Sequence, residues 1–311
     1  MSVQSSYQQA LPYFPAPLQK PLSRIPPERA AQIQELRLRI GRKLHAVIRG
    51  REQVVTGSGL LTAEPADGIT VSRQLLDTVF QNLCSHSLHS VQGAVRQGFV
   101  TIAGGNRAGL CGTAVMQHGT LETIRAVSSI NIRIASQRTG CAEPLVNRLG
   151  GTDACGGLLI AGPPGSGKTT VLRDLSRLIG MQRRVCLIDE RGELAAVSNG
   201  IPQFSVGTQT DVFDGYPKAE AIAAAVRVMS PEFIICDEIG GEAETEAMLA
   251  SVHTGVQFLA SAHAGSEQEL YRRPQLRMLF RAGVFRHTAM LSSGEQCGLL
   301  RSVSPVRKEL P

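Results

Sequence analysis

The chain has 311 residues, which at roughly 100–200 residues per domain suggests two domains. Hydrophobic residues make up 42% and mean hydropathy is near zero, which excludes global disorder; with no Trp and only 4% aromatics, the cores must be built from Leu, Ile, Val and Ala, as suits α/β architecture. The net charge of +6 is uneven: residues 1–150 carry 16 Lys/Arg against 8 Asp/Glu, and residues 151–311 carry 16 against 18. A basic front half is either a solvated arginine-rich surface or a face that meets nucleic acid, anionic lipid or a nucleotide on a neighbouring subunit. The seven Cys are scattered without a CxxC pair, a reduced, intracellular pattern in which Cys155, Cys186 and Cys236 read as small buried residues. No apolar run reaches the ~18 residues that span a bilayer, and the N-terminus lacks the pattern of a signal peptide. The expectation is a cytoplasmic protein with at most a peripheral role at the inner face of a membrane.

In chain order, residues 1–34 are polar and Pro-rich and read as an extended or loosely helical lead-in. The run IQELRLRI (33–40) predicts a strand that Arg42–Ile48 continues. Leu75, Leu76, Val79, Phe80 and Leu83 have helical spacing, and a second helix is predicted over Ser87–Gln97. FVTIAGG (99–105), Cys111–Met116 and Ile124–Ile134 read as strands. This defines a smaller α+β N-terminal domain over 35–145, ending where Pro144, Gly150 and Gly151 interrupt the pattern. From 146 to 311 the rhythm changes. The apolar runs GLLIAG (157–162), VCLID (185–189), FIICDE (233–238) and VQFLASAH (256–263) alternate with helical stretches such as Thr169–Ile179 and Ala219–Met229. Short, fully apolar strands alternating with helices imply a parallel sheet covered on both faces.

The chemistry concentrates in this second half. Gly162, Pro163, Pro164, Gly165, Ser166, Gly167, Lys168 and Thr169, followed by Thr170, form a P-loop between a strand and a helix, the context that this motif requires. Glycines let backbone N–H groups wrap phosphates, the helix N-terminus favours the anion, Lys168 reaches the β- and γ-phosphates, and the Thr169 hydroxyl can ligate Mg²⁺. Asp237 and Glu238 end an apolar strand: Asp237 can hold Mg²⁺, and Glu238 can orient or deprotonate the attacking water. The run Asp189-Glu190-Arg191-Gly192-Glu193 also lies past a strand, where open parallel sheets bind ligands; Glu190 is placed to assist metal or water, the alternative being a capped loop with a salt bridge through Arg191. His263, at another strand end, can sense the γ-phosphate. Hydrolysis also calls for an arginine, and the basic half offers Arg107, Arg125, Arg133, Arg138 and Arg148.

These residues resemble a known family. GPPGSGKTTVLRDLSR, DERGE, TDVFDGYPKAEA, MSPEFIICDEIG and SAHA, together with ELRLRIGRKL, GGNRAGLCG and SSINIRIA in the first half, look like the stage III sporulation protein AA family of AAA-type secretion ATPases, over roughly residues 10–300. The resemblance implies that Gly162–Thr169 is the Walker A loop, that Asp237 and Glu238 are Walker B with Glu238 the catalytic carboxylate, that Asp189, Glu190 and Glu193 form the acidic box, and that His263 is the His box. It also implies that Arg133 is sent from the N-terminal domain toward nucleotide, with Arg148 a weaker match to a second such arginine. Two departures stand out: Gln209 where an Arg is expected, and DGYPK where a Cys-containing version is usual. The implied fold is a RecA-like P-loop core preceded by the α+β domain, working as a hexameric ring.

The resulting expectation is an ATPase using ATP and Mg²⁺, a homo-oligomeric motor in peripheral contact with a membrane protein of a secretion-type complex, in sporulation the mother cell–forespore channel. The alternative is a nucleic-acid-dependent ATPase. Against nucleic acid as a partner stands the scarcity of stacking aromatics in the basic half, namely Tyr7, Tyr13, Phe14, Phe80 and Phe99.

Overall fold

A computed structural model describes residues 5–64, 66–84, 98–117, 119–292 and 298–307. The chain forms two compact units, Met1–Ser136 with Ser198–Gln203, and Gln137–Val197 with Phe204–Pro311.

In the first unit, the Pro-rich segment, expected from sequence to be extended or loosely helical, takes the helical form. It folds as the helices Ser6–Ala10, Ala16–Ser23 and Pro27–Ala30. Proline is tolerated in a first helical turn, where its missing N–H has no intrahelical partner, so Pro17 and Pro27 start helices here. Ser5 caps the first helix through a reciprocal pair of bonds with Gln8. Phe14, Leu18, Leu22 and Ile25 recur at helical spacing and join the core of this unit.

That core lies against a seven-stranded antiparallel sheet in the order β4-β3-β2-β1-β7-β6-β5. Its strands are β1 Ile33–Arg39, β2 His45–Ile48, β3 Arg51–Val55, β4 Leu61–Thr62, β5 Phe99–Ile102, β6 Asn106–Gln117 and β7 Thr120–Arg133. Arg42–Ile48 does not continue β1. Gly41 turns the chain at φ 71°, and β2 pairs back on β1 with Leu36 opposite Ala46. The helix Arg73–Leu83 buries Leu76, Val79 and Leu83, and Ser72 caps it. The predicted helix over Ser87–Gln97 lies outside the described residues.

The second unit holds a seven-stranded sheet in the order β10-β9-β11-β12-β8-β13-β14. Its strands are β8 Leu158–Gly162, β9 Val185–Asp189, β10 Thr210–Asp214, β11 Phe233–Cys236, β12 Gln257–His263, β13 His287–Leu291 and β14 Leu300–Pro305. Neighbours from β10 through β13 are parallel, and β14 closes the edge antiparallel. Alternate strand residues serve two different cores. Leu159, Ala161, Cys186, Ile188, Ile234 and Cys236 pack into one, and Leu158, Ile160, Val185, Leu187, Phe233 and Ile235 into the other. A sheet buried on both faces therefore has strands apolar at every position, as in LLIA and FIIC. The predicted helix Ala219–Met229 is α-helical over Lys218–Ala224 and opens into a π turn over Ala225–Met229.

Candidate nucleotide site

Parallel strands deliver their carboxyl ends to one edge of the sheet, so Gly162, Asp189, Asp237 and His263 gather there from β8, β9, β11 and β12. The loop after β8 turns on Gly165 (φ 74°) and Gly167 (φ 92°), left-handed conformations that glycine adopts at little cost. A Cβ at Gly162 would lie 2.5 Å from Ser166 Oγ, so the loop closes only over glycine. Gly167 then caps the helix Lys168–Ile179.

Lys168 is 5% exposed. Its Nζ donates to the carbonyl oxygens of Gly162 (2.9 Å) and Pro163 (3.0 Å) and lies 3.1 Å from His263 Nδ1. Burial lowers its pKa, against the pull of the Glu238 charge. His263 Nε2 lies 2.6 Å from Glu238 Oε1, and Arg191 Nη1 donates to Glu238 Oε2 at 3.1 Å. Burial pushes the Glu238 carboxyl up, but the His263 bond and the Arg191 and Lys168 charges outweigh it and hold the carboxyl below its ordinary range. P-loop lysine, histidine and glutamate thus form one connected chain across β8, β12 and β11.

Asp237 is 2% exposed. Burial raises its pKa to about 6, with Lys218 opposing and Asp189, Glu193 and Glu238 adding to the shift. Its Oδ1 has no hydrogen-bond partner, and the ion-pair contact with Lys218 Nζ is long, at 3.7 Å. Ser166 Oγ is likewise buried without a partner. A buried carboxylate oxygen with unused acceptor capacity, close to a hydroxyl-bearing phosphate loop, fits a Mg²⁺–nucleotide ligand.

The acidic run separates into distinct tasks. The Asp189 carboxylate accepts from the backbone N–H groups of Glu193 (2.7 Å), Leu194 (3.1 Å), Ala195 (2.7 Å) and Ala196 (3.3 Å), and so shapes its own loop. Glu190 faces Lys218 Nζ at 3.4 Å. Arg191 makes the salt bridge that the sequence alternative allowed, with Glu238 just past β11 as its partner. Arg173, on the P-loop helix, donates to the carbonyls of Leu194 (2.9 Å) and Glu193 (2.5 Å) and stacks over Phe204 at 3.9 Å. Lys218 and Arg173 were not predicted from sequence. The signals for Lys218 are its place in the run DGYPK and at the start of an otherwise Ala-rich helix.

Arg133 lies on β7 of the first unit, its side chain 71% exposed and its Nε 3.9 Å from Glu35. Arg148 lies on the helix Glu143–Leu149 of the second unit. Gln209 ties into the sheet through its backbone, donating to Gly180 O at 2.7 Å and accepting from Val185 N at 2.9 Å. A cavity of about 590 Å³ opens beside Arg183, Arg184 and Glu232 at the other edge of the sheet, where the strands begin. Arg183 there is bonded to Asp153 (2.9 Å) and Glu232 (3.1 Å).

A glycine-rich loop entering a helix at one strand end, with carboxylates and a histidine at neighbouring ends of a parallel sheet, is a RecA-like fold. The pilus retraction motor PilT with bound ADP has it at 15% identity and TM-score 0.56, with 88% of this chain and 78% of that chain covered. The Legionella pneumophila ATPase DotB has it at 15% identity and TM-score 0.52, with 84% and 72% covered. The chain belongs to the family described as "Sporulation stage III, protein AA", which matches residues 8–309. Stage III sporulation protein AA of Bacillus subtilis (strain 168) is 36% identical over 296 residues, 93% of this chain and 92% of that protein.

Proposed function

We propose that the chain is an ATP-hydrolysing motor of a membrane-associated secretion or channel complex, acting in sporulation. The observation that carries the ATPase reading is the connected set Lys168–His263–Glu238, with 3.1 Å and 2.6 Å between successive partners. The β- and γ-phosphates bind the loop Gly162–Thr169 at the N-terminus of its helix, and Lys168 exchanges its two carbonyl partners for phosphate oxygens. Glu238, kept ionised by His263 and Arg191, orients the attacking water and takes its proton, while His263 links that carboxylate to the lysine that senses the phosphates. The Thr169 hydroxyl and Asp237 carboxylate would hold Mg²⁺, which when bound neutralises phosphate charge.

Membership in a sporulation family and a fold shared with a pilus retraction motor support the motor reading. In it, copies of the chain form a ring, hexameric by resemblance, on the cytoplasmic side of a membrane partner at the mother cell–forespore channel, and Arg133 completes the charge around the nucleotide. No helix among the described residues is long and apolar enough to cross a membrane, which is compatible with a peripheral role.

The test is ATP turnover beside nucleotide binding. Glu238→Gln is expected to lower turnover by about a hundredfold or more while binding persists. Lys168→Ala is expected to abolish binding. Full turnover by the Glu238→Gln protein sinks the catalytic assignment.

A further inference from the structure

One buried charge beside this site is used by no step above. Lys218 is 5% exposed and opens the helix Lys218–Ala224 after Pro217. Its Nζ donates to two consecutive backbone carbonyls, those of Asp237 (3.1 Å) and Glu238 (2.9 Å). The carboxylates of Glu190 (3.4 Å), Glu244 (3.5 Å) and Asp237 (3.7 Å) surround it. Burial would lower its pKa, but these carboxylates outweigh that and keep it cationic.

Consecutive carbonyls of an extended strand point in opposite directions, so one nitrogen meets both only if the backbone turns between them. It does. β11 ends at Cys236, and Glu238 has φ 31°, a conformation that a non-glycine residue keeps only where its surroundings over-determine it. Two bonds supply those surroundings: the Glu238 N–H donates to Ser261 Oγ at 3.0 Å, and the Glu238 carbonyl accepts from Lys218. Clamped on both sides of its Cα, Glu238 directs its carboxylate to His263 and Arg191. The same ammonium connects that clamp to Glu190 of the acidic loop, through groups 3.4 Å apart.

We propose that Lys218 is a positioning residue that holds the turned Glu238 backbone and so aims the Glu238 carboxylate at the reacting water. The proposal rests on the ATPase reading above. The experiment uses the full chain with Lys218→Met, which keeps an unbranched side chain out to the ε-carbon without the charge or donors. Turnover of ATP and affinity for a fluorescent ATP analogue are measured in parallel. A misplacement of about 1 Å at a reacting group costs about a hundredfold in rate, and a kcat loss of that order is expected with analogue affinity unchanged. In a Glu238→Gln background, Lys218→Met is expected to add no further loss, because it acts through the carboxylate already removed; a general structural role would multiply the two losses.

Thermal unfolding verifies that each variant folds, and Lys218→Leu, which likewise lacks a donor, stands in if Lys218→Met does not. Parental kcat in either variant, a multiplied loss in the double variant, or failure of both variants to fold overturns the positioning role and leaves the ATPase reading intact. Absence of turnover in the unaltered protein overturns both.

Discussion

Asp189 illustrates what one carboxylate does at a crowded sheet edge. It is fully buried, and four successive backbone N–H groups converge on it. Bonds to an ionised acceptor are roughly twice as strong as neutral ones, and Asn at this position would turn an N–H₂ toward donors that need an acceptor. Asp189→Asn is therefore expected to cost about 1.5–3 kcal/mol, read as a lower midpoint in denaturant unfolding. At this scale the sequence was only partly legible. The phosphate loop, the pair Asp237–Glu238 and His263 could be picked out because strand ends deliver them to one edge. The run Asp189–Glu193 offers in sequence either metal or water assistance or a capped loop with a salt bridge through Arg191; that Asp189 is the cap, Lys218 the partner of Glu190 and Glu238 the partner of Arg191 depends on the path of the loop. Lys218 and Arg173 look in sequence like ordinary helix-surface cations. Their burial is decided by carbonyls 19 and 20 residues further along the chain for Lys218, and 20 and 21 for Arg173.

Among elements, the helix Ala16–Ser23 does more than the extended or loosely helical lead-in expected from its prolines: Leu18 and Leu22 are fully buried in the core of the first unit. Leu18→Ala is expected to destabilise the protein by about 2–5 kcal/mol, the range for emptying a buried leucine site, measured by calorimetry or denaturant unfolding. The strands β8, β9, β11 and β12 were legible because double-sided burial makes them apolar throughout. Short or edge strands carry weaker signals. β4 has two residues, and β10, at the sheet edge, is half-exposed with the pattern TDVFD. The hairpin of β1 and β2 reads in sequence as one strand because Gly41, which reverses it, sits between two runs of the same alternation.

For the whole molecule, the ring reading carries its own test. With Glu238→Gln, ATP remains bound for long enough to report on assembly. Light scattering after size exclusion is expected to show a larger species with ATP than without it. Arg133→Ala is expected to depress turnover while leaving analogue binding to the second unit intact. A monomer under both conditions would remove the ring from the proposal.

The division of the chain into units has one further consequence. The polypeptide passes between them three times, after Ser136, Val197 and Gln203. The stretch Ser198–Gln203 belongs to the first unit, where Gln203 Oε1 accepts from the Gly104 N–H at 2.9 Å. During synthesis, then, the unit that begins first is not the one that can finish early. Its last piece leaves the ribosome only after β8, the phosphate loop and β9 have emerged, and before β10 to β14 emerge. Translation interleaves the two folding reactions, and the gene contains no single stretch that encodes the first unit whole.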